Sequence, residues 1–131
     1  MNKTYAIYLP VDGEPEMIEF EGHKGNRTNL DWYYEKIGCD YIEATKTIMD
    51  NKKKLVIDEE GWLKPEPQLN MIASILYGSA EHGQTIVGNA ILCDTAMTPD
   101  GEDFVGMSED VATMAMKRLE GISKILRMIR T

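Results

Sequence analysis

Asn70, Ser74 and Tyr77 fall on one stripe at helical spacing, and Asn89 is the one strongly polar residue in the run Ile86–Cys93. A neutral amide reads the edge of a base or ribose, a tyrosine ring stacks, and a guanidinium meets phosphate. With His82 between the two segments and Arg118 and Arg127 near the C-terminus, these residues compose a candidate site for a nucleotide-like small molecule. Asn70, Tyr77 and Asn89 would line one pocket, His82 its rim, and an arginine would supply positive charge. The two asparagines have an alternative use. A buried amide ties down backbone groups, and leaving such groups unpaired costs about 1–3 kcal/mol.

Covalent chemistry is served less well. A nucleophile needs a base in reach, but His82 and Cys93 stand at opposite ends of the apolar run, about 25 Å apart if it is a strand. Glu43 and Asp58 make a carboxylate pair only if their strands are neighbours, and among 22 acidic residues solvated carboxylates are the plainer reading. Two distant histidines, His23 and His82, give no metal spacing. There is no phosphate-binding glycine loop of either common pattern. No catalytic residue, metal or cofactor is assigned, and the reading is of a non-enzymatic protein.

Two elements must position these side chains. Leu69, Ile72, Ala73 and Leu76 recur at i, i+3, i+4 and i+7, the buried face of a helix. Pro67 suits its first position, and Gly78 suits the left-handed residue that ends it. Ile86–Cys93 is apolar on both faces except at Asn89, as befits an interior strand. Gly88 there would permit close approach of backbone or ligand.

Asp58-Glu59-x-Gly61, Asn70-x-x-Ala73-x-x-Leu76-Tyr77-Gly78 and Ile86-Val87-Gly88-Asn89-Ala90, with the earlier Ile37-Gly38-Cys39-Asp40-x-Ile42-Glu43, resemble the signature of an uncharacterised domain-of-unknown-function family of phages and bacterial mobile elements. The resemblance spans Ile37 to Leu92, under half the chain, and carries over no catalytic residue. It implies a small intracellular accessory protein of a mobile element.

The remaining segments complete the architecture. Thr4–Leu9 and Glu16–Glu21 alternate as a hairpin around Asp12-Gly13. Gly22–Arg27 reads as a polar loop, with His23 at the surface. Leu30–Ile37 is a helix capped by Thr28 or Asn29 and closed by Gly38. Its consecutive Trp32, Tyr33 and Tyr34 cannot all point inward, so at least one is expected at the surface. Asp40–Ile48 and Lys54–Asp58 form a second hairpin. Asp94–Asp103 reads as a flexible loop, Phe104–Met107 as a short edge strand, and Ser108 as the cap of a long last helix. That helix carries Val111, Met114, Ala115, Leu119, Ile122, Ile125, Leu126 and Ile129 at the 3.6 period, more apolar width than one sheet face needs. The fold class is α+β: one domain over residues 1–131, a largely antiparallel sheet, helices mainly on one face, and a long C-terminal helix.

Charge narrows the partners. Residues 1–116 hold 9 basic and 21 acidic side chains, a net of −12, while residues 117–131 hold 5 and 1, a net of +4. So acidic a body does not bind duplex nucleic acid directly. No stretch has the roughly 18 apolar residues of a membrane helix. The N-terminus has no signal-like apolar segment, and the two cysteines suit a reducing compartment, so the expected location is the host bacterial cytoplasm. Two functions follow. One is sequestration of a nucleotide-like signal for a phage or mobile element, acting against host defence. The alternative is an acidic, DNA-mimicking or anti-restriction module that binds a host protein. A homo-oligomer, joined by the last helix or a sheet edge, is expected in either case.

Overall fold

Alternation in Tyr5–Leu9 (β1) and Glu16–Glu19 (β2) produces the first hairpin. Two short strands, His23–Lys24 (β3) and Arg27–Thr28 (β4), pair with each other before the helix Leu30–Ile37 (α1). Ile42–Lys46 (β5) and Lys53–Asp58 (β6) form the next hairpin. A 3-10 turn at Gly61–Leu63 leads to Met71–Tyr77 (α2) and Ser79–His82 (α3). Ala90–Thr98 (β7), Gly101–Val105 (β8) and Glu109–Arg130 (α4) complete the chain. The computed structural model describes residues 3–25 and 27–130; Met1, Asn2 and Asn26, which entered the readings of the N-terminus and the polar loop, lie outside it, as does Thr131.

All strand pairings are antiparallel, in the order β2-β1-β7-β6-β5, with β8 on the outer half of β7. Period-two alternation divides the side chains between two cores. Ile7, Leu9, Leu55, Ile57, Ala90 and Leu92 pack with Ile72, Ala73 and Leu76 of α2 and with Ala112, Ala115 and Leu119 of α4. Ala6, Val56, Ile91 and Cys93 meet Trp32, Tyr33 and Ile37 of α1 on the other face. The fold is therefore α+β, with two helices on one face, one on the other, and a long C-terminal helix.

Several local expectations are corrected. β7 lies between β1 and β6, so the apolar run is interior, but the strand begins at Ala90 and runs on to Thr98. Asp94–Asp103 is accordingly most of a hairpin. Its threonines suit a pleated strand, and the Thr98 hydroxyl organises the turn, donating to Gly101 O and accepting from Asp100 N–H. Pro67 does not start α2. Gln68–Asn70 instead runs extended beside Ile86–Gly88, through Gly88 N–H to Gln68 O (2.8 Å) and Asn70 N–H to Ile86 O (2.9 Å). Leu69 is consequently exposed. Gly88 has φ +86° with open space where a side chain would stand. Its left-handed backbone, and not a close contact, is what asks for glycine. His23 is half-buried, 3.2 Å from the Asp103 carboxylate, which also accepts from the Thr28 hydroxyl. Asn29 is the N-cap residue of α1, but its side chain makes no cap bond.

Candidate functional site

Asn70 is the N-cap of α2. Its side-chain oxygen accepts from Ala73 N–H (3.1 Å), and its amide nitrogen donates to Leu9 O (3.0 Å) and Gly88 O (2.9 Å). Ser74, one turn on, accepts from Ile86 N–H at 2.8 Å and donates back to Ile86 O. Asn89 accepts from Val11 N–H (3.0 Å) and reaches Ile37 O at 3.5 Å. These groups join α2, the 86–89 segment and the end of β1 into one internal polar knot, with Asn70 only 1% exposed.

The structure does not bring Asn70, Tyr77 and Asn89 into one pocket. Asn70 and Arg127 share a concavity of about 400 Å³ with Glu14 and Ser123. Tyr77 lines a second, of about 560 Å³, and Asn89 a third, of about 340 Å³. The physical reason is the extended Gln68–Asn70 segment: it places Asn70 beneath the chain at the start of α2, and Tyr77 leaves from the opposite end of that helix. His82 stays near Tyr77, with ring centroids 5.1 Å apart. Arg127 pairs with Glu14 at 2.6 Å, and Glu14 also accepts from the Ser123 hydroxyl. Arg118 is exposed on α4 and lines none of the three concavities.

The cleft that contains Tyr77 is built on β5 and β6. Glu43 stands across from Ile57, and Thr45 from Leu55, so both β5 side chains belong to the sheet face that α2 covers. Tyr77 and the 83–87 segment form one wall. Trp62 closes an end. It is 60% exposed, and its indole N–H donates to Thr85 O at 3.2 Å. The turn that presents Trp62 is fastened at Asp58, whose carboxylate accepts from Glu60 N–H (2.9 Å) and pairs with Lys64 at 2.7 Å. That contact raises the Lys64 pKa. Gly61 lies so near Val87 that an added Cβ would fall 2.8 Å from its methyl.

The cleft's polar groups contrast with the knot. The Thr45 hydroxyl is shielded from solvent yet has no hydrogen-bond partner among the described residues. Glu43 and Glu59 line the cleft as exposed carboxylates, and among the described residues no Lys or Arg does. Two rings with free carboxylates suit a cation, since a desolvated cation–π contact contributes about 2 kcal/mol. Glu43 and Asp58 are not a facing pair, because Asp58 stands across from Ile42. Trp62 was missed in the sequence. The available signal was a large aromatic in a turn between Glu59-Glu60 and Lys64-Pro65, where no core needs it. The expected surface aromatic of α1 is Tyr34, half-buried, while Trp32 and Tyr33 are buried.

Cys93 is fully buried, and burial pushes its thiol up to about 12. Cys39, half-buried, is raised for the same reason. Among the described residues no group of three or more His, Cys, Asp or Glu is arranged to hold a metal ion. No helix among them is long and apolar enough to cross a membrane.

A family model described as a domain of unknown function, DUF3846, matches residues 2–120. No curated protein and no solved structure matches the chain.

Proposed function

We propose, for a chain that belongs to the DUF3846 family, that it is a non-enzymatic acidic interaction module whose β5-side cleft takes a cationic segment of a partner protein. The observation that carries this reading is the cleft of about 560 Å³ lined by Trp62, Tyr77, Glu43 and Glu59 and, among the described residues, by no basic side chain. The −12 body supports it, since a field of one sign steers a basic partner inward. In the setting that the sequence resemblance implies, the partner is a host defence protein met in the bacterial cytoplasm by a phage or mobile-element product.

A second reading, sequestration of a nucleotide-like signal, draws support from the meeting of Asn70 and Arg127 in one concavity. It is the weaker of the two, because a phosphate there has to displace Glu14 from Arg127. Self-association belongs to either reading. It is supported by Met114, Ile125 and Ile129, 69%, 58% and 74% exposed along α4. Light scattering should give a dimer that Ile125→Asp converts to a monomer; a wild-type monomer at high micromolar concentration removes this part.

Calorimetric titration tests the main reading. An arginine-containing pentapeptide should bind, Trp62→Ala should weaken it at least tenfold, and raised salt should weaken it further. Absence of binding at millimolar peptide, or binding of a nucleotide in its place, contradicts it.

A further inference from the structure

We infer that the partner segment binds as an added β-strand on the free edge of β5, with cationic side chains at alternate positions entering the cleft; this rests on the cleft reading above. Among the described residues, β5 is an end strand of the sheet and pairs only with β6. Its five pairs, Ile42↔Asp58 through Lys46↔Lys54, are continuous, so no bulge twists the edge away. Exposed edges are normally blunted by proline, charge, bulges or a covering loop. The other edges show such devices. β2 follows Pro15 and carries exposed Glu16 and Glu19. β8 is tied by Asp103 to Thr28 and His23 of the β3–β4 hairpin. β5 also carries exposed charge, at Glu43 and Lys46, but it has no proline and no bulge, and its middle residue is Ala44, small and exposed.

The ladder also fixes the register of the addition. Glu59 N–H donates to Tyr41 O (3.0 Å), which makes 41 and 59 a hydrogen-bonded pair in continuation of the β5–β6 register. In an antiparallel ladder such pairs alternate, so Glu43 and Thr45 bond inward to β6. The N–H and C=O groups of Ile42, Ala44 and Lys46 then point outward, available to another strand. An added residue that bonds to Ala44 shares its face, where Ile42 and Ala44 favour a small apolar side chain. Residues on either side of it fall on the face of Glu43 and Thr45, beside Trp62 and Tyr77. The ligand class is therefore an extended segment alternating cationic and apolar residues. Charge complementarity with Glu43 and Glu59 selects the cation, and the unpartnered Thr45 hydroxyl supplies an acceptor for a guanidinium N–H.

The test uses the full chain and three forms of Arg-Val-Arg-Val-Arg: unmodified, N-methylated at both valines, and N-methylated at the second and third arginines. Methylated valines lose the N–H groups that face β5, whereas methylated arginines lose N–H groups that face away. The unmodified and arginine-methylated peptides should bind alike, and the valine-methylated one at least tenfold more weakly. Ala44→Pro, which removes an outward N–H, should have the same effect while β6 pairing and the melting curve are kept. Equal binding of all three peptides overturns strand addition but leaves the cleft reading standing. Binding of none overturns both. A peptide-free dimer that Ala44→Pro abolishes means that a second copy fills the edge, and it overturns the inference too.

Discussion

Asn70 and Thr45 are polar side chains on the same side of the sheet, and their surroundings are opposite. Asn70 uses its oxygen and both amide hydrogens within the protein, in bonds of 2.9–3.1 Å. Thr45 uses nothing, although its hydroxyl is shielded from solvent. The first belongs to a knot that fixes α2, the 86–89 segment and β1; the second belongs to an open cleft with free carboxylates and an exposed tryptophan. Residue type alone does not distinguish a structural polar group from a binding one. The state of its hydrogen bonds does, because a buried group with all partners internal has none left to offer a ligand.

The comparison predicts opposite responses to deletion. The largest effect is expected for Asn70→Ala, which strips a helix cap and takes a donor from the Leu9 and Gly88 carbonyls; denaturant unfolding should report a loss of roughly 3 kcal/mol. Asn89→Ala should cost less, about 1 kcal/mol, since one of its two bonds is long, and peptide binding should persist. A melting temperature unchanged in both variants would break the distinction. In the cleft, Thr45→Val removes a hydroxyl that has no partner, so stability should hold within about 0.5 kcal/mol or rise while peptide affinity falls. Loss of stability at Thr45 with affinity intact would reverse the assignment.

A smaller effect sharpens the contrast by pH. The Cys93 thiol, raised to about 12 by burial, keeps its proton in the folded chain where the unfolded chain gives it up. Its contribution is therefore complete below the unfolded value near 9 and is lost as pH rises from there toward 12. Tyr33, raised by burial, and Lys64, raised by Asp58, act in the same direction. Cys93→Ala should flatten part of the alkaline loss seen by denaturation between pH 8 and pH 10.5. In native protein a thiol reagent should modify Cys39 before Cys93; equal rates would contradict the burial of Cys93.

The architecture was largely legible in the sequence because period-two and period-3.6 patterns report burial directly. The interior apolar run, the β5–β6 hairpin and the long amphipathic α4 all follow from them. The Asp94–Asp103 segment was misread because Pro99, Asp100 and Gly101 mark a turn and say nothing of how far the strands beside it extend. The candidate site was less legible. Helical spacing correctly joined Asn70 to Ser74, but a stripe on a helix can face inward, and which way it faces depends on the crossing of the 86–89 segment. The knot's partners are backbone groups of Leu9, Val11, Ile37, Ile86 and Gly88, and backbone carries no sequence signal. The cleft depends on pairing between Glu43 and Ile57 and on the position of Trp62 against Thr85, contacts that only the tertiary fold creates.

The most direct test of the division between knot and cleft is backbone and side-chain amide NMR during titration with Arg-Val-Arg-Val-Arg. Shifts should concentrate at Ala44, Thr45, the Trp62 indole N–H, Tyr77 and Thr85, with the Asn70 and Asn89 side-chain amides unmoved. Shifts confined to Asn70, Asn89 and Arg127, with the β5 edge silent, would contradict the account.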